Sequence, residues 1–187
     1  MAPIRFAVAL LNLSLFLSIA HCYDVHGLIR VKWEDLGGAS GPLGDATSDE
    51  LPIEGGRYNR FQHGFIIWKS GTPEAYAVYG SIADKYYQLG TIAMGYPVSD
   101  ELPGPNGGRY NVFEGGKYIY WKSDTGAHIV YGDIEQEYLR MGGPTSFLGY
   151  PISDEEPAGL AGCRVSHFEH GDIYWTQAHG AGLTCQG

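Results

Sequence analysis

Apolar side chains recur at helical spacing in three short stretches of the chain. They occupy positions i, i+4 and i+7 of each stretch and so fall on one face of a helix; they are Ile29, Trp33 and Leu36, then Ile82, Tyr86 and Leu89, then Ile134, Tyr138 and Met141. A glycine follows each stretch directly, at Gly37, Gly90 and Gly142. Because a left-handed glycine commonly ends a helix, the pattern predicts three short amphipathic helices.

Two runs of β-branched and aromatic residues follow each predicted helix and flank a glycine turn. The first runs start at Gly56, Gly108 and Cys163, and the second runs contain Ile66-Ile67-Trp68, Ile119-Tyr120-Trp121 and Ile173-Tyr174-Trp175. Paired runs of this kind around a glycine predict a β-hairpin.

A Ser-Asp-Glu segment separates each helix from its hairpin. It follows Met94-Gly95-Tyr96-Pro97 and Leu148-Gly149-Tyr150-Pro151, and in a worn copy it follows Leu43-Gly44-Asp45-Ala46. The copies lie about 50 residues apart, a period that marks repeat architectures.

We therefore expect an α+β fold of three tandem repeats of about 53 residues, each a short helix, an extended segment and a β-hairpin. The repeat units are expected at roughly 25–77, 78–129 and 130–187 of a domain spanning 23–187. A single unit cannot bury its apolar side, so the units must pack on one another. We expect a compact, β-rich, pseudo-threefold ring in which the first helix packs near the last hairpin; a linear stack is the alternative.

Residues 1–22 have the pattern of a secretory signal peptide. Arg5 precedes an apolar run from Phe6 to Ile19, and Ala20 and Cys22 are small residues placed for cleavage before Tyr23. Cleavage after Ala20 and an uncleaved signal anchor are the alternatives. The run is short for a bilayer span, so we expect a secreted protein, extracellular or cell-wall associated, with no membrane insertion.

Charge and cysteine content narrow the classes further. The formal net charge is −9 and basic runs are absent, which argues against nucleic acid as a partner. Of the three cysteines, Cys22 lies in the signal segment, and Cys163 and Cys185 are expected to form a disulfide in an oxidising compartment. The spacing of Cys163, His167 and His170 provides no complete zinc site, so we expect no metal and no cofactor.

The combined motifs resemble the LGFP repeat family. The resemblance rests on the Leu-Gly-Tyr-Pro and Ser-Asp-Glu segments, on Gly108-Arg109-Tyr110-Asn111-Val112-Phe113, on the Ile-Tyr-Trp runs and on Thr125-Gly126-Ala127-His128. The family occurs as tandem repeats in exported proteins, and the resemblance implies non-covalent attachment to cell-wall glycan. The first copy departs at Asp45-Ala46 and the third at Val165-Ser166.

Aromatic and polar residues that recur in register are the candidate ligand contacts. Tryptophan and tyrosine faces stack on sugar rings, although large aromatics are also typical of a core. The candidates are Trp68, Trp121, Trp175, Tyr120, Tyr174, Arg57, Arg109, Asn59, Asn111, Asp100, Asp154 and His128. For the tryptophans we favour the core, and for His128 a structural role.

The paired acids of the Ser-Asp-Glu segments have a structural and a functional interpretation. An Asp or Glu of each pair is expected to form an ion pair with Arg57, Arg109 or Arg164 across the turn. Hydrogen bonding to glycan is the alternative, and no pair of acids stands out as a catalytic acid and nucleophile.

The sequence thus predicts a monomeric, non-enzymatic module that binds cell-wall polysaccharide or peptidoglycan through several weak, similar sites. A protein–protein interaction module, such as an inhibitor or effector, is the second hypothesis, and a polysaccharide hydrolase is the third. We expect the weakest site in the copy that contains Asp45.

Overall fold

The computed structural model describes residues 23–159 and 162–185; the predicted signal segment lies outside them. The three expected helices are confirmed, as α1 (Gly27–Asp35), α2 (Gly80–Gln88) and α3 (Gly132–Met141). Their first stripe residues, Ile29, Ile82 and Ile134, are buried. Gly37, Gly90 and Gly142 follow with φ of 96°, 86° and 111°, the left-handed helix ends that were predicted.

Each repeat contains a four-stranded antiparallel sheet rather than a two-stranded hairpin. The strands are β1 (Leu51–Ile53), β2 (Gly56–Phe61), β3 (Gly64–Lys69) and β4 (Ala75–Tyr79); β5 (Leu102–Pro103), β6 (Arg109–Phe113), β7 (Lys117–Lys122) and β8 (Gly126–Val130); and β9 (Glu156–Pro157), β10 (Cys163–Phe168), β11 (Gly171–Thr176) and β12 (Gly180–Gly182). The predicted hairpins form the central pair of each sheet. A lone hairpin is marginally stable, and the segments on either side of it supply the two outer strands.

Helices and sheets alternate in layers along the chain. Tyr86 of α2 packs in one apolar cluster with Ile67 of the first sheet and Phe113 of the second. The ring centroids of Tyr86 and Phe113 are 4.8 Å apart. Tyr138 of α3 likewise lies 5.5 Å from Tyr120 and 4.5 Å from Phe168. Each of these helices therefore joins its own sheet to the preceding one. Among the described residues, no helix combines the length and apolar character that crossing a lipid bilayer requires.

The expected ring is not confirmed. Helix α1 packs on β3 and β4 of the first sheet, together with Leu43 and Phe61. Within the described ranges, none of the three apolar clusters combines residues of the first and third repeats. The packing follows chain order, as the linear alternative requires.

The aspartate of each Ser-Asp-Glu segment binds the backbone of the preceding repeat. Asp100 accepts a hydrogen bond from the Ala77 N–H at 2.8 Å, and Asn111 donates to the Ala77 carbonyl at 3.0 Å. In the first repeat, Asp24 makes the equivalent bonds. Its N–H donates to Asp49, and its carbonyl accepts a hydrogen bond from Asn59. These bonds satisfy the exposed backbone of an edge strand, which would otherwise be a template for aggregation.

A tyrosine inserts between consecutive repeats. The Tyr96 hydroxyl donates to the Glu54 carbonyl, and the Tyr150 hydroxyl donates to the Pro105 carbonyl at 2.7 Å. The rings lie against glycines: a Cβ atom at Gly56 would overlap Tyr96, and one at Gly108 would overlap Tyr150. The Gly-Tyr-Pro motif is therefore an inter-repeat contact.

Two positions of this contact are occupied by other residues in the first and third repeats. Asp45 takes the tyrosine position in the first repeat, and the described residues that precede it form no sheet of their own. In the last repeat, Cys163 takes the glycine position and forms a disulfide with Cys185. Lys32 and Lys85 bind Asp100 and Asp154 of the next repeat, but Glu137 stands at their position in α3. The first and third repeats thus each carry residues that differ from those of the middle repeat at these positions.

Removing the disulfide should destabilise the terminal repeat. The bridge spans a sequence separation of 22 residues, for which loop-closure entropy gives about 3 kcal/mol. We expect the double variant C163S/C185S to unfold at a lower denaturant concentration than the wild type under non-reducing conditions. Added reductant should lower the wild-type midpoint and leave that of the variant unchanged. Equal midpoints without reductant would contradict this role.

Candidate functional site

The same row of residue types recurs in each of the three sheets. Arg57 pairs with Trp68, Arg109 with Trp121, and Arg164 with Trp175, each as directly opposed residues on the central strands. Opposed residues present their side chains on one face of a sheet, so each arginine lies beside a tryptophan. Alanine occupies the next position in the row, at Ala75, Ala127 and Ala181. This small neighbour leaves one side of each indole uncrowded.

The row borders a cleft at the start of the helix that covers that face. In the first repeat the cleft has a volume of about 310 Å³ and is lined by Gly27, Ile29, Glu50, Arg57 and Trp68, with His26 and Leu28. In the third repeat it measures about 390 Å³ and is lined by Gly132, Ile134, Glu155, Arg164 and Trp175, with Tyr131 and Asp133. The equivalent residues of the second repeat are Gly80, Ile82, Glu101, Arg109 and Trp121. We call these three sets of residues the Arg–Trp clefts, and the hollows measured beside them are those of the first and third repeats.

A glutamate and the arginine form an ion pair in every Arg–Trp cleft. Arg57 binds Glu50 and Arg164 binds Glu155 through Nε, and Arg109 Nε lies 3.6 Å from Glu101 Oε1. The ion pairs expected across the turn are therefore present, with the glutamate rather than the aspartate as partner. The pair fixes the arginine beside the indole.

In the second repeat, the arginine and the indole N–H of this set form fewer or longer polar contacts than in the other two repeats. Burial raises the pKa of Glu101, against the opposing effects of Arg109 and the Tyr79 hydroxyl. The indole N–H groups of Trp68 and Trp175 donate to the Thr72 carbonyl and to Asp133. Trp121 has no such partner among the described residues, and Arg109 is more loosely paired than its equivalents. An indole N–H and a guanidinium are thus available to a ligand in this cleft.

The tryptophans belong partly to the core and partly to the clefts. All three are partly buried and pack against the apolar clusters through part of their rings. The remaining surface borders the clefts, so the core and ligand interpretations do not exclude each other.

Other predicted ligand contacts hold the repeats together instead. Asn59 and Asn111 are fully buried and donate to backbone carbonyls of neighbouring segments. Asp100 and Asp154 each accept from a backbone N–H and from a lysine, Lys32 or Lys85. The side-chain N–H groups of the asparagines and the carboxylates of the aspartates are therefore engaged by protein, although Oδ1 of each asparagine is buried without a hydrogen-bond partner. Partners such as Ala77 lie in the preceding repeat, which a local motif cannot reveal.

Tyr120, His128 and Tyr174 lie on the opposite face of their sheets from the Arg–Trp clefts. Tyr120 is buried, and its hydroxyl donates to Glu135 at 2.6 Å. His128 contacts the Thr125 carbonyl at 2.9 Å and lies 3.5 Å from Asp154, which agrees with the structural role favoured for it. Tyr174 donates to Asp172 on the outer face of the third sheet.

Two tyrosines of the clefts were not singled out from the sequence. Burial raises the pKa values of both Tyr79, which contacts Glu101, and Tyr131, which contacts Glu155 and Arg164. Each stands directly before the glycine that starts α2 or α3. The recurrence of tyrosine at that position was the available signal, but His26 in the first repeat obscured it.

Comparison with known proteins yields a family and no individual relative. None of the curated proteins shows significant similarity to the chain. The family model described as LGFP repeat matches residues 43–92, 94–146 and 148–185, more than half of the chain. The matches start at Leu43, Met94 and Leu148, so the first two each contain a sheet followed by a helix and the third contains the last sheet. On these three matches, the chain belongs to the LGFP repeat family.

Proposed function

We propose that this protein is a secreted, non-catalytic module that binds cell-wall polysaccharide or peptidoglycan through its Arg–Trp clefts. The observation that supports this proposal best is the recurrence of the whole row of arginine, tryptophan and alanine beside a helix start in three sheets. Packing in the core would account for the tryptophan of each sheet. It would not account for the Arg–Glu ion pair beside that tryptophan.

The chemistry of the clefts suits a sugar ring. The exposed part of the indole offers a flat apolar face for the C–H groups of a saccharide. Beside it, the guanidinium provides several N–H donors and the glutamate provides acceptors for hydroxyl groups. Each cleft is shallow and forms few contacts, so useful affinity depends on several clefts engaging one polymer.

The carboxylates favour binding over hydrolysis. In each cleft the glutamate is held by an arginine, and the second carboxylate of the third cleft, Asp133, accepts the Trp175 indole N–H. Glycoside hydrolysis needs an acid and a second carboxylate that face each other across the bond. Burial raises the pKa of Glu135 to about 8, as a catalytic acid would require. However, Glu135 is only 1% exposed and is enclosed by tyrosines between α3 and the second sheet. We therefore assign it to stability.

Replacing Trp121 by alanine tests the proposal. We expect a loss of about tenfold in affinity for the bound polymer, since aromatic contacts of this type contribute on the order of 1 kcal/mol. The measurement is co-sedimentation with insoluble peptidoglycan, chitin and β-glucan, with circular dichroism to verify folding. Trp121→Phe should retain most of the affinity because it preserves an aromatic face.

Phe147→Ala provides the matched control, since Phe147 is 61% exposed and lies outside the clefts. It should leave binding unchanged. If wild-type protein sediments with none of the three polymers, the proposed function is wrong. Capture of a protein partner instead would favour an interaction module, and release of soluble sugar would favour a hydrolase.

A further inference from the structure

A single aromatic groove lies apart from the Arg–Trp clefts, between the first sheet and α2. Its main hollow has a volume of about 570 Å³, and an adjoining hollow of about 100 Å³ shares three of its lining residues, Arg60, Phe65 and Tyr87. Tyr58 lines the smaller hollow. We call this place the Arg60 groove. It occupies the sheet face opposite to Arg57 and Trp68, because Arg60 and Tyr58 alternate with Arg57 and Asn59 along β2.

The Arg60 groove presents stacked aromatic rings. The rings of Phe65 and Tyr87 lie 6.5 Å apart and nearly parallel, with 11° between their planes. Tyr58 adds a third ring 6.4 Å from Phe65. Tyr87 is 64% exposed, so its ring is accessible from solvent. Flat, accessible rings in a hollow of this size suit a ring-shaped ligand with an apolar face.

Arg60 is distinguished from the other arginines by its lack of a carboxylate partner. Within the described ranges, every other arginine has a glutamate oxygen within 4 Å; these are Arg30, Arg57, Arg109, Arg140 and Arg164. Arg60 instead donates to the Tyr58 hydroxyl at 3.3 Å and lies 5.9 Å from that ring. Asp84 lines the same main hollow but makes no ion pair with Arg60. In a chain with a net charge of −9, an arginine beside open rings and without a carboxylate within 4 Å is a preformed site for an anion.

The Arg60 groove is specific to the first repeat and contains a strained residue. The positions of Arg60 and Phe65 are Val112 and Tyr118 in the second sheet, and His167 and Asp172 in the third. Thr91, which lines the smaller hollow, has φ of 52°, whereas Gly38 and Gly143 hold φ of 58° and 57° after the other two helices. A β-branched residue in this conformation is unfavourable and typical of a site retained for function.

We infer that the Arg60 groove binds an acidic sugar residue, a hexose ring that carries a carboxylate. The ring stacks on Tyr87 and Phe65, and the carboxylate binds the Arg60 guanidinium, which matches carboxylate geometry. Asp84 and Gln88 of α2, which line the main hollow, face the ligand as hydrogen-bonding groups for its hydroxyls. This site is distinct from the Arg–Trp clefts and makes the protein selective for polymers that contain acidic units.

Titration with tetragalacturonate and with its fully methyl-esterified form tests this inference, using nuclear magnetic resonance shifts of the intact protein. The two probes share their rings and differ in the carboxylate, which is charged in the acid and carries a neutral methyl ester in the other. We expect the acid to bind about tenfold more tightly than the ester. Arg60→Gln should remove this preference, and Tyr87→Ala should weaken binding of both probes.

Arg30→Gln is the matched control, since it removes one positive charge from an exposed pair on α1. It should leave both affinities within twofold of the wild-type values. Equal binding of acid and ester by the wild type would overturn the inference, as would an equal loss in the Arg30 and Arg60 variants. Trp121→Ala should not affect tetragalacturonate binding, so failure at the groove is distinguishable from failure at the Arg–Trp clefts.

Discussion

Replacing Tyr150 by alanine is expected to lower the free energy of unfolding by about 3–5 kcal/mol, the range for truncating a buried aromatic side chain. Tyr150 is 1% exposed and belongs to the apolar cluster between the second and third repeats. Its hydroxyl also donates to the Pro105 carbonyl. The truncation therefore removes packing and a hydrogen bond that connect two repeats. Chemical denaturation of the variant measures the loss.

Gly108 provides a sharper form of this test. Its φ of −75° suits any residue, so its only requirement for glycine is the close approach of the Tyr150 ring. Gly108→Ala should destabilise the wild type strongly and the Tyr150→Ala variant only slightly. Such non-additivity is the signature of a direct contact. Additive effects, or a Phe147→Ala control as damaging as Tyr150→Ala, would contradict the proposed insertion.

Replacing Glu135 by glutamine is expected to stabilise the protein at pH 8 by an amount on the order of 3 kcal/mol. Burial raises the pKa of Glu135 from its ordinary value to about 8, despite the Tyr120 hydroxyl that donates to its carboxylate. The second carboxylate oxygen, Oε2, is buried without a hydrogen-bond partner. The folded protein therefore holds a proton that the unfolded chain releases near pH 4.5. Glutamine preserves the shape without that requirement.

The pH dependence of this contribution has a definite sign. Between the unfolded pKa near 4.5 and the folded pKa of about 8, the folded state binds more protons than the unfolded state, so stability falls as the pH rises. Below this window the contribution is fully present, and above it the loss is complete. Denaturation midpoints at pH 5, 6.5 and 8 should decline for the wild type, and the decline should be smaller in Glu135→Gln.

Glu137 is the matched control on the same helix. Arg140 donates to its carboxylate and lowers its pKa, the opposite direction to Glu135. Glu137→Gln should therefore cost at most about 0.5 kcal/mol, as for other helix-surface pairs, and should leave the pH trend intact. An identical trend in wild type and Glu135→Gln would assign the pH dependence to other groups.

The repeated elements were predictable where the signal was local. A helical stripe ending at a glycine, as from Ile82 to Gly90, depends on residues within one turn or two. The ion pairs of Arg57, Arg109 and Arg164 were predictable for the same reason, because the two partners lie within ten residues. Outer strands of two or three residues, such as Leu102–Pro103, were missed because they carry no periodicity of their own. The five-residue strands β4 and β8 were missed because the unit boundaries expected at 78 and 130 divide them.

The functions of the predicted site residues depended on contacts between repeats. In the sequence, the polar side chain of Asn111 within a strand indicates a ligand contact. In the structure, this side chain donates to the Ala77 carbonyl of the preceding repeat. Arg60 looks like any surface arginine in the sequence, and only the absence of a neighbouring acid in space distinguishes it. Neither distinction is encoded in the spacing of a motif.

By itself, the sequence determined the repeat, its period, its helices and hairpins and the disulfide pair, because these follow from local periodicity and from the count of cysteines. The family followed from the resemblance of its repeated motifs. The tertiary structure decided which residue of each Ser-Asp-Glu segment faces a cleft and which joins two repeats. It also showed that Asp45 and Cys163 occupy the positions that Tyr96 and Gly56 hold in the inter-repeat contact. The physical reason is that a buried polar group takes its role from its hydrogen-bonding partner, and for Asp100, Asn111 and Asp154 that partner belongs to the preceding repeat.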